Sequence, residues 1–244
     1  MRAFLAIVRR ELAGYFATPI AYVFLVIFAA LAGVFTFQIG GFFERGAADL
    51  GPFFTYVPWL LLVLAPAVAM RLWAEERRSG TIELLMTLPL TTTQAVLGKW
   101  LAGWLFLGIA FVCTFTLWFT VNWLGEPDNG VIALGYLGGW MLSGVLLAAG
   151  AAMSALTRNQ VIAFILAAAV SFLLLVAGTP VVQEILSRAL PAVLAETLAA
   201  LSALTHYAGV AQGVLELADV VYWLTMTAFW LFVNAVIVEW KKAE

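Results

Sequence analysis

The sequence predicts an all-α, polytopic membrane protein with six transmembrane helices, and two observations lead to this fold class. The first is composition: 64% of the 244 residues are hydrophobic, only 11% are charged, and the mean hydropathy is +1.04. Soluble domains carry about 25% charged residues. The second is length, because the apolar runs repeatedly approach the roughly 20 residues that a helix needs to cross the hydrocarbon.

The apolar runs place the six spans at residues 19–43, 51–70, 95–123, 131–156, 160–178 and 218–239. Residues 1–18 precede them and predict an amphipathic helix at the membrane surface, with Phe4, Val8 and Tyr15 on its apolar face. The pair Thr18 and Pro19 then fits the start of a new helix. Because Pro58 and Pro66 fall inside the second span, kinks are expected there.

The basic residues predict the orientation of these spans. Only Arg45 and Arg188 fall on one predicted side of the membrane. By the positive-inside rule the opposite side, which carries both termini, is cytoplasmic. On the outside, residues 179–217 form the one sizeable segment, for which we expect two short helices separated near Pro191. The remaining basic residues, all on the predicted cytoplasmic side, are Arg2, Arg9, Arg10, Arg71, Arg77, Arg78, Lys99, Arg158, Lys241 and Lys242.

The distribution of reactive side chains argues against catalysis by this chain. None of the six predicted spans has an acidic, basic or histidine residue near its middle, which disfavours a proton-coupled secondary transporter. The single histidine, His206, cannot build a metal site alone. The stretch "TTQAVLGKW" lacks the first glycine and the final hydroxyl of a phosphate-binding loop. We therefore expect no catalytic residue, no metal and no cofactor, and any ATP must be bound by another chain.

The most charged stretch, "AEERRSGTIELLMTLPL" at residues 74–90, predicts a short cytoplasmic helix over residues 75–88. Gly80 permits a sharp turn, Thr81 can cap the helix, and Pro89 forbids its continuation. This helix could lie on the bilayer or contact another protein, and the pattern alone leaves both open. After it, Thr91 and Gln94 have the spacing of a capping box that begins the third span.

Small residues recur every four positions in the fourth predicted span, at Gly135, Gly139 and Ser143. Such a row lets a neighbouring helix approach closely. The neighbour can be another helix of the same bundle or a second copy of the chain, and the sequence supports either.

Three stretches carry a resemblance to a known family. "EERRSGTIELLMTLPLTTTQAVLGKWLA" resembles the coupling-helix signature of type-2 ABC transporter permeases, which are six-span subunits typical of bacterial exporters. "LAIVRRELAGYFATPIAYVF" resembles the elbow helix and first span of that family. The C-terminal "HYAGVAQGVLELADVVYWLTMTAFWLFVNAVIVEW" is similar to the gliding-motility branch.

The resemblance implies an elbow helix at 1–18, a six-span permease domain at 19–244, and a location in the bacterial inner membrane. It implies two copies of a cytoplasmic ABC ATPase subunit, which bind ATP and Mg, and a second permease copy in a homodimer or related heterodimer. The lipid bilayer surrounds the complex, and no nucleic acid is expected. The implied function is export or extracytoplasmic remodelling driven by ATP. In the alternative, the chain is a non-transporting anchor that relays ATPase motion to an extracytoplasmic protein through residues 179–217.

The resemblance also assigns roles to residues of this chain. In the ATPase-contacting coupling helix, one group of residues would make polar contacts, a second would form the turn, and a third would make the central contact. Arg9, Arg10 and Glu11 would belong to the elbow helix. The coupling-helix residues are Glu75, Glu76, Arg77 and Arg78 for the polar contacts, Gly80 and Thr81 for the turn, and Glu83, Leu84 and Leu85 for the central contact.

Overall fold

The computed structural model describes residues 2–81 and 91–241, and within these ranges all regular structure is helical. The predicted all-α class is thereby confirmed. The helices are α1 (Arg2–Phe16), α2 (Pro19–Val34), α3 (Phe42–Arg45), α4 (Gly51–Ser79), α5 (Thr92–Cys113), α6 (Phe115–Leu124), α7 (Asn129–Leu156), α8 (Gln160–Val176), α9 (Pro180–Ala189), α10 (Ala192–Ala200), α11 (Ala203–Ala211) and α12 (Leu217–Trp240).

Five stretches of the described chain are long and apolar enough to cross a membrane. Two further candidates are bent pairs: α8 with α9, which meet at 86°, and α10 with α11, which meet at 53°. The chain is therefore a polytopic helical membrane protein with five to seven candidate spans, a range that contains the predicted six. The five are Pro19–Ile39, Gly51–Ser79, Thr92–Leu124, Asn129–Leu156 and Leu217–Trp240.

Helices α4 and α7 form the centre of the bundle, and small residues on α7 allow the close packing. A Cβ atom added at Gly135 would lie 2.6 Å from the ring of Phe54, and one at Gly139 would lie 2.9 Å from Phe111. Ser143 is fully buried, and its hydroxyl donates to the carbonyl oxygen of Trp140 at 2.6 Å. The row of small residues thus packs against helices of the same chain.

A pair of tryptophans joins α5 to α7. The rings of Trp104 and Trp140 are stacked with centroids 4.2 Å apart and planes within 10° of parallel. Each indole Nε1 donates to the carbonyl oxygen of the other residue, at 2.8 Å and 3.1 Å. Because an indole N–H buried in lipid needs an acceptor, this reciprocal arrangement satisfies both donors.

Two predicted spans end or bend where the sequence analysis did not place a break. The first span continues α2 as a π-helical turn, Phe35–Ile39, and ends at Gly40 and Gly41 before residue 43. Gly41 has φ of 60°, which favours glycine. The third span is broken at Thr114, whose hydroxyl donates to the carbonyl oxygen of Phe111 at 2.7 Å. Tyr136 of α7 donates to the carbonyl oxygen of Thr114 at 3.0 Å, which stabilises the break.

The outer segment contains three helices, so the prediction of two was wrong. The break near Pro191 separates α9 from α10, as expected. A second break lies at Ser202, where the backbone is extended and the hydroxyl donates to the carbonyl oxygen of Leu175 at 3.0 Å. This contact joins residues 27 apart in sequence, which is why the local pattern of leucines did not reveal it.

The packing of α7 against α4 generates a test. Replacing Gly135 by alanine should destabilise the bundle by about 1–3 kcal/mol, because the new methyl group meets the Phe54 ring at 2.6–2.7 Å. The measurement is the thermal midpoint of unfolding in detergent. Gly33 on α2 is the matched control, since a Cβ there has nothing within 4 Å. Equal midpoints for Gly135→Ala and Gly33→Ala would contradict the packing described for α7.

Candidate functional site

The charged stretch after the second span is the end of α4 rather than the beginning of a separate helix. The predicted span ended at Met70 and the predicted short helix began at Glu75, but α4 continues without a break to Ser79. No glycine or proline lies between Met70 and Ser79, and Arg71 pairs with Glu75 one turn later at 3.0 Å. The helix therefore continues through Glu75, Glu76, Arg77 and Arg78, and the predicted boundary at 75 was wrong.

Helix α4 ends at Gly80, whose φ of 74° is the left-handed conformation typical of a helix C-terminus. The predicted turn at this glycine is thus present. The hydroxyls of Ser79 and Thr81 lie 2.9 Å apart across it. The predicted contact residues Glu83, Leu84 and Leu85 lie outside the described residues.

The chain re-enters the described structure at the start of α5. The hydroxyl of Thr91 accepts from the backbone N–H of Gln94 at 3.2 Å, and the Gln94 side chain accepts from the backbone N–H of Thr91 at 3.3 Å. The predicted capping box is confirmed. Residues 82–90 are therefore flanked by a glycine-terminated helix on one side and a capped helix on the other.

Lys99 on α5 is the centre of an ion network between three helices. Its Nζ lies 2.9 Å from Oε1 of Glu76 on α4 and 3.2 Å from Oε1 of Glu11 on α1. Only 2% of the Lys99 side chain is exposed, compared with 17% for Glu76 and 18% for Glu11. The ammonium group also lies 5.3 Å from the ring centroid of Trp73. A cation this deeply buried is tolerated only because it is paired.

Arg10 extends this network, and a separate Arg71–Glu75 pair on α4 lies beside it. Arg10 Nη2 lies 2.6 Å from Oε1 of Glu11 and 3.4 Å from Oε1 of Glu76. Arg71 donates through Nη1 to the hydroxyl of Thr18 at 3.2 Å, which connects α4 to the turn between α1 and α2. Arg9 is exposed on α1 and lies away from these contacts. We call the set the basal charge cluster; its members are Arg10, Glu11, Arg71, Glu75, Glu76 and Lys99.

The electrostatics of the cluster keep Glu11 ionised. Burial alone would raise the pKa of its carboxyl group, but the charges of Lys99 and Arg10 outweigh burial and hold that pKa below its ordinary value. In turn, the hydrogen bond to Glu11 raises the pKa of Arg10 against the opposing effect of burial. Each group thus stabilises the charged form of its neighbour.

Packing between α1 and α5 brings the charges within reach of one another. A Cβ atom at Gly98 would lie 2.9 Å from a methyl group of Ile7, so the missing side chain lets the two helices approach. One turn or more along α1, Tyr15 stacks on Phe106 with centroids 4.9 Å apart. Helix α5 therefore covers the apolar face of α1, the face that the sequence predicted to contact lipid.

The end of α4 is also held on its other side. Arg77 donates to the carbonyl oxygen of Ala155 at 2.8 Å and to that of Lys241 at 3.3 Å, which ties α4 to the ends of α7 and α12. The hydroxyl of Ser154 donates to the carbonyl oxygen of Met70 at 3.0 Å and accepts from the backbone N–H groups of Trp73 and Ala74. Arg78 is exposed. The C-terminal turns of α4 are thus fixed to four other helices.

A cavity of about 720 Å³ opens beside the basal charge cluster, between α1, α4 and α5. In the described ranges no group of three or more histidine, cysteine, aspartate or glutamate side chains is arranged to hold a metal ion. The charges of the cluster pair with one another, and these ion pairs couple the positions of α1, α4 and α5.

Sequence reasoning found some members of this site and missed others. It assigned Arg10, Glu11 and Glu76 to roles at the cytoplasmic surface but treated Lys99 and Arg71 only as basic residues on the cytoplasmic side. The available signal was the position of Lys99, which lies two turns inside a predicted helix and beside Gly98, a residue that allows another helix to approach.

Comparison with known proteins gives a match over nearly the whole chain. The family described as ABC-2 family transporter protein matches residues 5–239 of the chain, from α1 to within one residue of the end of α12. Among curated proteins none matches.

The buried ion network predicts a strong effect of removing its cation. Lys99→Met keeps the aliphatic chain as far as Cε but removes the ammonium group, so Glu11 and Glu76 keep only Arg10 as a cationic partner, and its side chain is 53% exposed. We expect a loss of about 3 kcal/mol of stability, measured as a lower thermal midpoint in detergent, because breaking a buried pair strands a charge.

The control for this substitution is Arg188→Gln on α9. It breaks the Arg188–Glu184 pair, whose side chains are 77% and 67% exposed, and exposed pairs contribute little. If Lys99→Met shifts the midpoint no more than this control, the network does not stabilise the chain. The double variant Lys99→Met, Glu76→Gln should lose less than the sum of the two single losses.

The lowered pKa of Glu11 predicts a pH dependence. A carboxyl group with a depressed pKa in the folded state stabilises the fold above its unfolded value, here 4.5, and this contribution is lost as the pH falls through the folded value. The chain should therefore be more stable than its Glu11→Gln variant at about pH 7, and the difference should shrink towards about pH 3. The measurement is the thermal midpoint of both proteins across this range; a difference that is constant with pH would contradict the assignment.

Proposed function

Since the chain belongs to the ABC-2 family of transporter proteins, we propose that it is the permease of an ATP-driven exporter, in which a separate ATPase subunit supplies the energy. Family membership makes it a multi-pass membrane protein, a transmembrane subunit of an ABC transporter that works with an ABC ATPase. The proposal adds the direction of transport, the contact with the ATPase and the path by which its motion enters the bundle.

The proposal rests on the basal charge cluster, whose members Glu76 and Lys99 lie on the two helices that flank residues 82–90. Glu76 lies four residues before Gly80, where α4 ends, and Lys99 lies in α5 after the Thr91 cap. Their ion pair means that a force on residues 82–90 acts on α4 and α5 together. Through Glu11 it acts on α1 as well. We propose that residues 75–88 contact the ATPase, with the exposed Glu75 and Arg78 contributing from the last turns of α4 and with Glu76 and Arg77 holding those turns against the bundle.

Helix α4 can carry this force across the bilayer. Its 29 residues extend about 43 Å at the usual rise of 1.5 Å per residue. Pro58 cannot donate the hydrogen bond that Phe54 would otherwise receive, and the hydroxyl of Tyr207 on α11 donates to the Phe54 carbonyl oxygen instead, at 3.1 Å. A tilt of α4 would therefore move the outer helix α11 as well.

The proposed assembly is the one that the family resemblance implies. Two ATPase subunits bind ATP and Mg and press on two permease copies, in a homodimer or a related heterodimer. The basal charge cluster faces the cytoplasm of a bacterial cell, both termini lie on that side of the inner membrane, and helices α9–α11 face outwards. The permease itself holds no nucleotide and performs no bond-breaking step.

The contact between Tyr207 and Phe54 also fits a second function, that of a non-transporting anchor. In that case α4 would pass ATPase motion to α11 and thence to an extracytoplasmic protein bound at residues 179–217. Both functions require the same coupling at the cytoplasmic face, and they differ only in whether a substrate crosses the membrane.

The coupling proposal predicts the effect of introducing positive charge at residues 83 and 85. Replacing Glu83 and Leu85 together by arginine should abolish co-purification with the partner ABC ATPase and stimulation of its ATP hydrolysis. The reason is that one substitution reverses a charge and the other places a charge on an apolar contact. Pull-down and ATPase rate in nanodiscs measure the two effects.

The matched control makes the same two residue changes on the opposite face, at Glu196 and Leu215, both exposed in the structure. It should leave complex formation and stimulation unchanged. If the variant at 83 and 85 behaves like this control, the proposed contact is wrong.

A further inference from the structure

The only histidine of the chain lies at the face opposite the basal charge cluster, between three of the outer elements. His206 is on α11, and its ring stacks on Tyr222 of α12 with centroids 4.1 Å apart. Nδ1 lies 2.8 Å from Oδ1 of Asp219, and Nε2 lies 3.2 Å from the carbonyl oxygen of Ala200 at the end of α10. Both ring nitrogens therefore face an oxygen.

The nature of these two oxygens fixes the number of protons that the site needs. A carboxylate and a backbone carbonyl only accept hydrogen bonds, whereas a neutral imidazole has one donor and one acceptor nitrogen. Both contacts are therefore hydrogen bonds only when both nitrogens carry a proton. Moving the shared proton from Nδ1 to Asp219 Oδ1 leaves the number of protons in the pair unchanged. The other carboxylate oxygen of Asp219 already accepts from the backbone N–H of Glu216 at 3.1 Å.

Loss of that proton opens one particular contact. The neutral ring keeps its strongest bond, from Nδ1–H to Asp219, and then turns the lone pair of Nε2 towards the Ala200 carbonyl. That carbonyl belongs to the last turn of α10, where an unpaired C=O and the negative end of the helix dipole both favour a cation. Deprotonation therefore weakens the link between α11 and the end of α10.

This link is important for α9 and α10 because little else in the described structure holds them. Helix α9 has no buried side chain and is joined to the end of α8 by Gln183, whose Nε2 donates to the Ala177 carbonyl oxygen at 2.6 Å, and α10 buries only Ala195. Beside the His206 contact, the end of α10 is tied down by Tyr222, whose hydroxyl donates to the Leu201 carbonyl oxygen at 2.8 Å, and by Ser202. Neither of these hydroxyl contacts involves a group that changes charge near neutral pH.

The other titratable groups around His206 belong to the elements packed on α11. On α12 and its N-cap these are Asp219, Glu216 and Tyr222, and Glu196 lies one turn before Ala200 on α10. Helix α8 contains no titratable residue. On the outer ends of α4 and α7, and on α11 itself, they are Tyr56, Asp128, Tyr136 and Tyr207. Among these, Asp219 makes the charged contact with the ring.

We propose that His206 is a proton-dependent clasp that holds α9 and α10 against α11 and α12 when its ring is doubly protonated and loosens them when the ring is neutral. The clasp lies on the face opposite the proposed ATPase contact, and it is independent of that contact. It makes the order of the outer helices respond to protonation of the His206 ring.

The test is amide hydrogen exchange of the full chain in lipid nanodiscs, purified with a tag that contains no histidine. After correction for the intrinsic pH dependence of exchange, peptides from residues 180–201 should exchange about tenfold faster at about pH 8 than at about pH 5.5. Because His206 is the sole histidine, ¹⁵N resonances of labelled histidine report its ring directly. Two protonated ring nitrogens should accompany slow exchange, and one should accompany fast exchange.

Three variants complete the test. His206→Gln and His206→Phe should both remove the pH dependence, and the second keeps an aromatic ring beside Tyr222. Tyr222→Phe removes the neighbouring, non-titrating bond, so exchange should rise at both pH values while the ratio between them persists. The proposal is overturned if the unmodified chain exchanges equally at both pH values, or if either His206 variant retains the ratio.

Discussion

The relative position of helices α1, α4 and α5 depends on the ion pairs of Lys99 with Glu11 and Glu76. A buried ammonium group costs several kcal/mol unless it is paired, and here its two partners come from two other helices. If any one of the three helices moves alone, at least one charge loses its partner in a poorly solvated place. The network therefore stabilises the arrangement less by its net energy than by penalising every alternative arrangement.

Helix α4 converts this local constraint into a connection between the two membrane faces. At one end Arg77 and Ser154 bind it to α7 and α12, so the cluster and the bundle core hold the same turns. At the other end Tyr207 binds the carbonyl oxygen that Pro58 leaves without its helical partner. Pro58 thus removes a hydrogen bond within α4 at a point where Tyr207 of α11 donates one instead. Helix α4 can bend there without exposing a polar group to lipid.

Features determined by neighbouring residues were predictable, and features determined by distant ones were not. The all-α class, the capping box at Thr91 and Gln94 and the turn at Gly80 follow from patterns of a few residues. The absence of glycine and proline between Met70 and Ser79 allows α4 to continue, but the position of its last turns depends on contacts with Lys99 and Ala155, which are 20 or more residues away. In the same way, the break at Ser202 depends on Leu175. Apolar length locates a span, but the end of a helix is decided by what its polar turns can bind.

Ion pairs and packing between helices suit this chain to the transmission of force. Residues 82–90 lie between α4 and α5. If these two helices were independent, a force on the segment between them would only rotate one helix or the other. Here Glu76 and Lys99 prevent independent rotation, because their 2.9 Å contact would be lost before either helix turned far. Arg10 and Glu11 add α1, which lies across the same end of the bundle. Under the proposed function, a push at residues 82–90 would therefore act on three helices together, and α4 would carry that movement to α11.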